Sequence, residues 1–149
     1  MWDVALGTVL RKPVVSSKSI FSLAFSPDGK FLFAGHVDTI TRWETAGDGR
    51  EVSMSDAGER VASVAVSPDN RFVASVSKDN IKLWDIKTEK LVKTFSAKNA
   101  EDRPESLLFA ADGRLLVLSR GFGASLWEVE NPKKITSLLR ATAFGLFFP

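Results

Sequence analysis

Short apolar runs, each closed by a polar turn, recur along most of the chain. Residues 20–25 and 31–34 are apolar apart from one serine, with SPDG between them. Residues 61–66 and 71–76 repeat the arrangement around SPDN. These runs are too short for buried helices and are rich in Val, Phe and Ile. They predict strands covered on both faces. The tetrad between them suits a type I turn: Pro27 presets φ, Asp28 tolerates the third position and Gly29 follows.

One unit is written three times. SPDGKFLFAGHVDTITRWE begins at Ser26, SPDNRFVASVSKDNIKLWD at Ser67, and AADGRLLVLSRGFGASLWE at Ala110. Tryptophans fall at Trp2, Trp43, Trp84 and Trp127, at spacings of 41, 41 and 43. Such a period marks one supersecondary unit of a propeller or solenoid. The turn tetrads move with the tryptophans, which places the two extra residues of the third copy between Trp84 and Ala110.

The combination of SPDG or SPDN, a strand, a short turn with Asp and then IKLWD resembles the WD-repeat β-propeller family. Trp84-Asp85 matches the Trp-Asp signature, while Trp43-Glu44 and Trp127-Glu128 keep the acid with a longer side chain. The chain also departs from the family pattern. No copy has the Gly-His pair before its first strand. Asp38 and Asp79 stand five residues before their tryptophans, and Phe122 holds that place in the third copy. The His–Ser–Trp–Asp hydrogen-bond tetrad of a strict member is therefore incomplete.

The resemblance implies an all-β fold, a β-propeller of four-stranded antiparallel blades with about three blades plus partial ones. The expected layout is one domain over 1–149. Its blades lie near 19–54, 60–95 and 105–139, with partial strands at 2–15 and 143–149. A propeller ring needs roughly four to eight blades, so an incomplete ring leaves apolar blade faces open. Phe144, Leu146, Phe147 and Phe148 form the expected assembly edge. The ring would be completed by another propeller segment, by self-association, or by sequence lost through truncation. A fragment or one piece of a split propeller is favoured over a neat homodimer.

Composition narrows the function. The 149 residues suit one domain, and an apolar fraction of 44% supports a packed core. Twenty basic against 18 acidic residues leave a net charge of +2, with no basic tail to suggest a nucleic-acid partner. The absence of cysteine excludes disulfides and thiolate metal sites. The N-terminus has no basic segment before its apolar residues, and no stretch approaches the length of a membrane span. The expectation is a soluble, cytoplasmic chain with no membrane partner.

Catalysis has little to work with. His36 is the lone histidine, so any Ser-His-Asp triad has to use it, and its place beside a tight turn suggests a surface role. The GDG and GFG stretches lack the strand–loop–helix setting of a phosphate cradle, and no calcium-loop spacing occurs. No catalytic residue, metal or cofactor is assigned. A hydrolase or small-ligand propeller stands as the third reading.

What remains is a binding surface. Superposing the copies brings Ser19, Arg60 and Arg103 to one place, near His36, Lys78, Arg120 and Phe122. The resemblance implies that partners dock on this loop face. Basic groups around an aromatic suit an acidic peptide, since arginine forks grip carboxylates by two hydrogen bonds. Ordinary solvated charge is the plain alternative for each. The expected function is a non-catalytic protein-interaction scaffold; its alternative is an assembly element that completes its propeller through open blade edges.

Overall fold

The computed structural model describes residues 2–3, 5, 8–9, 19–46, 50–78, 80–96, 103–119, 123–129 and 134–140. Within them the regular structure is antiparallel β-sheet. A short pair, β1 (Trp2–Asp3) and β2 (Thr8–Val9), comes first, with Trp2 opposite Val9. Next come β3 (Ser22–Phe25), β4 (Phe31–Gly35), β5 (Val37–Glu44), β6 (Glu51–Val66), β7 (Phe72–Ser77), β8 (Asn80–Asp85) and β9 (Leu91–Ser96). They form one seven-stranded sheet in sequence order. A four-stranded sheet follows from β10 (Pro104–Phe109), β11 (Leu115–Ser119), β12 (Gly123–Trp127) and β13 (Lys134–Arg140).

Seven strands in one sheet are two blades sharing a strand. The first part of β6 pairs with β5 and its end pairs with β7. Blade one is thus β3, β4, β5 and the start of β6; blade two is the end of β6 with β7, β8 and β9. The sequence pattern suggests two separate strands here, at 51–54 and 60–67. The structure runs them together, and Ala57, midway between, is fully buried.

The core lies between blades rather than within one. Phe33, Ile40, Met54 and Ala57 of blade one and the linking strand meet Val64, Val73, Trp84 and Ile86 of blade two. On the other side of blade two, Ala65, Ala74, Val76, Ile81, Leu83 and Phe95 meet Leu107, Leu115 and Val117 of blade three. Blade two is therefore covered on both faces. This explains why β7 is buried on both faces, with Val73 in one core and Ala74 and Val76 in the other.

Each joint also carries the same hydrogen bond. The Val64 N–H donates to Ser22 Oγ at 3.0 Å, and the Leu107 N–H donates to Ser63 Oγ at 3.1 Å. The serine that recurs on the first strand of each blade thus receives the first strand of the next.

The SPD turns explain their own residues. In blade one the Ser26 hydroxyl donates to Asp28 Oδ1 (2.7 Å) and accepts the Phe31 N–H (2.9 Å). Ser67 does the same with Asp69 (2.6 Å) and Phe72 (2.9 Å). The fourth residue is left-handed in all three copies: Gly29 at φ 71°, Asn70 at 59° and Gly113 at 83°. Glycine and asparagine are the residues that tolerate this region.

Blade three differs in register. Ser26 and Ser67 close their turns by donating N–H to the carbonyls of Phe31 and Phe72, whereas Ala110 donates to Arg114. Phe109 accordingly faces Leu115, where the repeat places Leu116. Alanine has no hydroxyl to hold the next strand's N–H, so the turn closes one residue earlier. Because residues 115–118 are apolar throughout, the slip costs little: Leu115 and Val117 bury in place of Leu116 and Leu118.

Candidate functional site

At one end of the blades the strand β6 crosses from blade one to blade two, β7 turns into β8, and the chain enters β10. These connections bring Arg60, Lys78 and Arg103 to the rim of one cleft of ≈ 420 Å³. Glu59, Ala62, Pro104 and Glu105 complete its lining. Arg60 and Arg103 hold matching places before the first strands of neighbouring blades. Lys78 occupies a left-handed hairpin position at φ 49°, a conformation that costs a lysine some strain.

The charges are already engaged with their surroundings. The Arg60 guanidinium lies over the Phe21 ring, 4.4 Å from its centroid, in a cation–π contact. Lys78 Nζ meets Glu59 Oε1 at 3.0 Å, with both side chains largely exposed. Ser19 is exposed but is not part of this lining, and its carbonyl lies 3.1 Å from His36 Nδ1. The cleft is therefore mixed, with three cations set among two carboxylates.

His36 corrects the sequence reading. Its backbone does sit at the β4–β5 turn, where its N–H donates to the Thr39 carbonyl at 2.9 Å. Its ring is fully buried, edge-on to Trp43 at 6.3 Å, so it cannot contribute to an exposed face. The apolar indole and the Ser19 carbonyl draw it inward, leaving Nε2 without a hydrogen-bond partner. Arg120 and Phe122 lie outside the described residues, as do Phe144, Leu146, Phe147 and Phe148.

Sequence reasoning missed Glu59 and Glu105. Both are ordinary surface acids in the chain, and only the fold brings them to the basic cluster. The one signal available was their adjacency to Arg60 and Pro104.

The opposite end carries a second cleft of ≈ 410 Å³, lined by Asp69, Phe72, Phe109, Asp112, Arg114 and Glu128 among others. Its aspartates serve the turns. Arg114 holds the Asp112 carboxyl below its usual value through its guanidinium and then its N–H. At Asp69 burial pushes the pKa up, but the Ser67 hydroxyl, the Arg71 N–H and the Arg71 charge together bring it down. Among the described residues, no group of three or more His, Asp or Glu side chains is placed to hold a metal ion. No helix of the described residues is long and apolar enough to cross a membrane.

The tryptophans show what remains of the family tetrad. Trp84 Nε1 donates to the buried Ser75 hydroxyl at 3.2 Å, the serine lying on the neighbouring strand. Trp43 instead reaches Glu51 (3.3 Å) and Trp127 reaches Ser125 (2.9 Å). The profile of the WD40 family (WD domain, G-beta repeat) matches residues 7–43 and 52–85, ending on Trp43 and on Trp84-Asp85.

The chain belongs to the WD-repeat family.

Solved structures agree on the fold. The WD-repeat chain is similar to U3-55K, with TM-score 0.75 and 21% identity over 85% of this chain and 41% of that one. The WD40 repeats of RRP9 give 0.71 and 21%, over 85% and 40%. Hydrazine synthase of Kuenenia stuttgartiensis gives 0.72 and 19%, over 88% and 39%. The WD-repeat chain thus spans about two fifths of the length of each. No curated protein matches it. WD-repeat propellers commonly act as protein-interaction scaffolds and are typically non-enzymatic, although one of these similar structures is named as an enzyme.

Proposed function

We propose that this chain is a non-catalytic interaction scaffold whose loop-face cleft receives an acidic peptide segment of a protein partner. The observation that carries this reading is the convergence of Arg60, Lys78 and Arg103 from separate connections onto one cleft. Arg60 is pre-positioned by Phe21, so little side-chain freedom is lost when it meets a carboxylate. The scaffold offers a rigid surface and performs no bond chemistry.

The test is binding of a fluorescent poly-glutamate peptide, with mass followed by light scattering. Arg60→Ala and Arg103→Ala should each weaken binding about tenfold, the scale of a charge-assisted hydrogen bond, without altering mass. Unchanged affinity in both variants would sink the reading.

A second reading is favoured by a separate observation. Leu23 is 56% exposed, whereas its counterparts Val64 and Leu107 are 5% and 2% exposed because each meets the preceding blade. On the other side of the stack, Leu108 is 54% exposed where its counterpart Ala65 is buried. These open faces suit docking of further propeller blades, from another copy or another chain. Leu23→Asp should then lower the mass of any assembly; a mass that never exceeds the monomer at any concentration would exclude closure by further copies of this chain.

A further inference from the structure

Granting that the loop-face cleft takes an acidic peptide, we infer that Glu59 is a built-in competitor that restricts the cleft to densely acidic segments. Glu59 and Lys78 both line the cleft, and their charged groups meet at 3.0 Å. A ligand carboxylate that reaches Lys78 either replaces the Glu59 carboxylate or shares the ammonium with it against like-charge repulsion. In both cases the net attraction is small. The pair is exposed, with side chains 53% and 70% accessible, so it opens at small cost. It therefore acts as a threshold rather than a block.

The geometry decides which ligands cross that threshold. An isolated acidic residue at Lys78 gains nothing over Glu59. A segment carrying several carboxylates engages the Arg60 guanidinium on Phe21 and the Arg103 side of the cleft at once. Its second and third contacts add to the exchange at Lys78, and tethering makes them effectively intramolecular. Glu105, on the Arg103 side of the cleft, adds a second like charge against weakly acidic ligands. Specificity here arises from repulsion built into the site as much as from attraction.

The experiment is a fluorescence-anisotropy titration of the full chain with a labelled poly-glutamate peptide and with a peptide holding one glutamate among alanines. Glu59→Gln should tighten both, by about fivefold for the single-glutamate peptide and less for poly-glutamate, so the preference between them narrows. Glu128→Gln changes net charge equally from the opposite end and should leave both affinities within about twofold. Lys78→Met should matter more in the Glu59→Gln background than alone. If Arg60→Ala leaves poly-glutamate binding unchanged, the cleft reading itself fails and Glu59 has nothing to gate. If Arg60→Ala weakens binding but Glu59→Gln tightens neither peptide, or tightens both equally with Glu128→Gln, the role of Glu59 alone is overturned.

Discussion

Arg42 of blade one and Glu89 of blade two meet at 2.8 Å across the joint between the blades. The same guanidinium donates to the Ile86 carbonyl at 2.8 Å and stacks 4.7 Å from the Phe31 ring. Leu83 and Leu126 hold the matching places in the other copies. Blade one thus replaces an apolar contact by a polar latch, and a planar fork is needed to serve both acceptors.

Arg42→Ala is expected to destabilise the chain by about 2 kcal/mol, because the Ile86 carbonyl loses a charge-assisted partner in a buried setting. Arg42→Lys should recover less than half of this, having one point charge in place of a fork. Urea denaturation followed by tryptophan fluorescence measures both.

Removing a turn hydroxyl should be felt on the folded side. Ser67→Ala deletes the acceptor of the Phe72 N–H and the donor to Asp69, for an expected loss of about 1–2 kcal/mol. Ala110→Ser is the converse and should stabilise by about 1 kcal/mol while drawing β11 towards the register of the other blades. Hydrogen exchange at residues 115–118 reports the register, and an unchanged protection pattern would count against the explanation given for the slip.

At Gly35 blade one and the linking strand approach closely. A Cβ there would lie 2.6 Å from Val61 Cγ1 and 3.2 Å from the Val61 carbonyl oxygen. Gly35→Ala should therefore cost about 1–3 kcal/mol by overpacking, read as a lowered Tm. Adding Val61→Ala should restore part of it.

Acid should loosen the turns. Asp28, Asp69, Asp85 and Asp112 all have lowered pKa values, through hydrogen bonds from Ser26, Ser67, Thr88 and Arg114 in turn, with burial opposing most strongly at Asp69. Their folded pKa values lie below the unfolded value of about 3.9. The stability they contribute is present above that value and is lost as pH falls through the folded ones. Tm should hold steady down to about pH 5 and then fall, and Asp69→Asn should flatten that fall. A variant as acid-sensitive as the parent would exclude Asp69 from the effect.

The repeat made the strands and turns readable, because the Ser-Pro-Asp tetrads and Trp43, Trp84 and Trp127 mark the same places in every copy. What escaped were positions where one copy departs from the others. His36 has no counterpart, and its burial follows from Trp43 and Ser19, which no local pattern links to it. Arg42 stands where the other copies hold leucine, a visible signal whose acceptor, the Ile86 carbonyl, lies 44 residues away. Ala110 hides the register slip, since residues 115–118 are apolar on both faces and suit either pairing. At the candidate site, Arg60, Lys78 and Arg103 were legible by superposing copies, whereas Glu59 and Glu105 gained their meaning only from the cleft.

The most direct test of the loop-face reading is amide chemical-shift mapping of the full chain during titration with poly-glutamate peptide. Saturable shifts centred on residues 59–62, 78 and 103–105 are the predicted result. Shifts centred on the Asp69–Asp112 end, or on the exposed face around Leu23 and Phe25, would contradict it, as would no saturable shift at all.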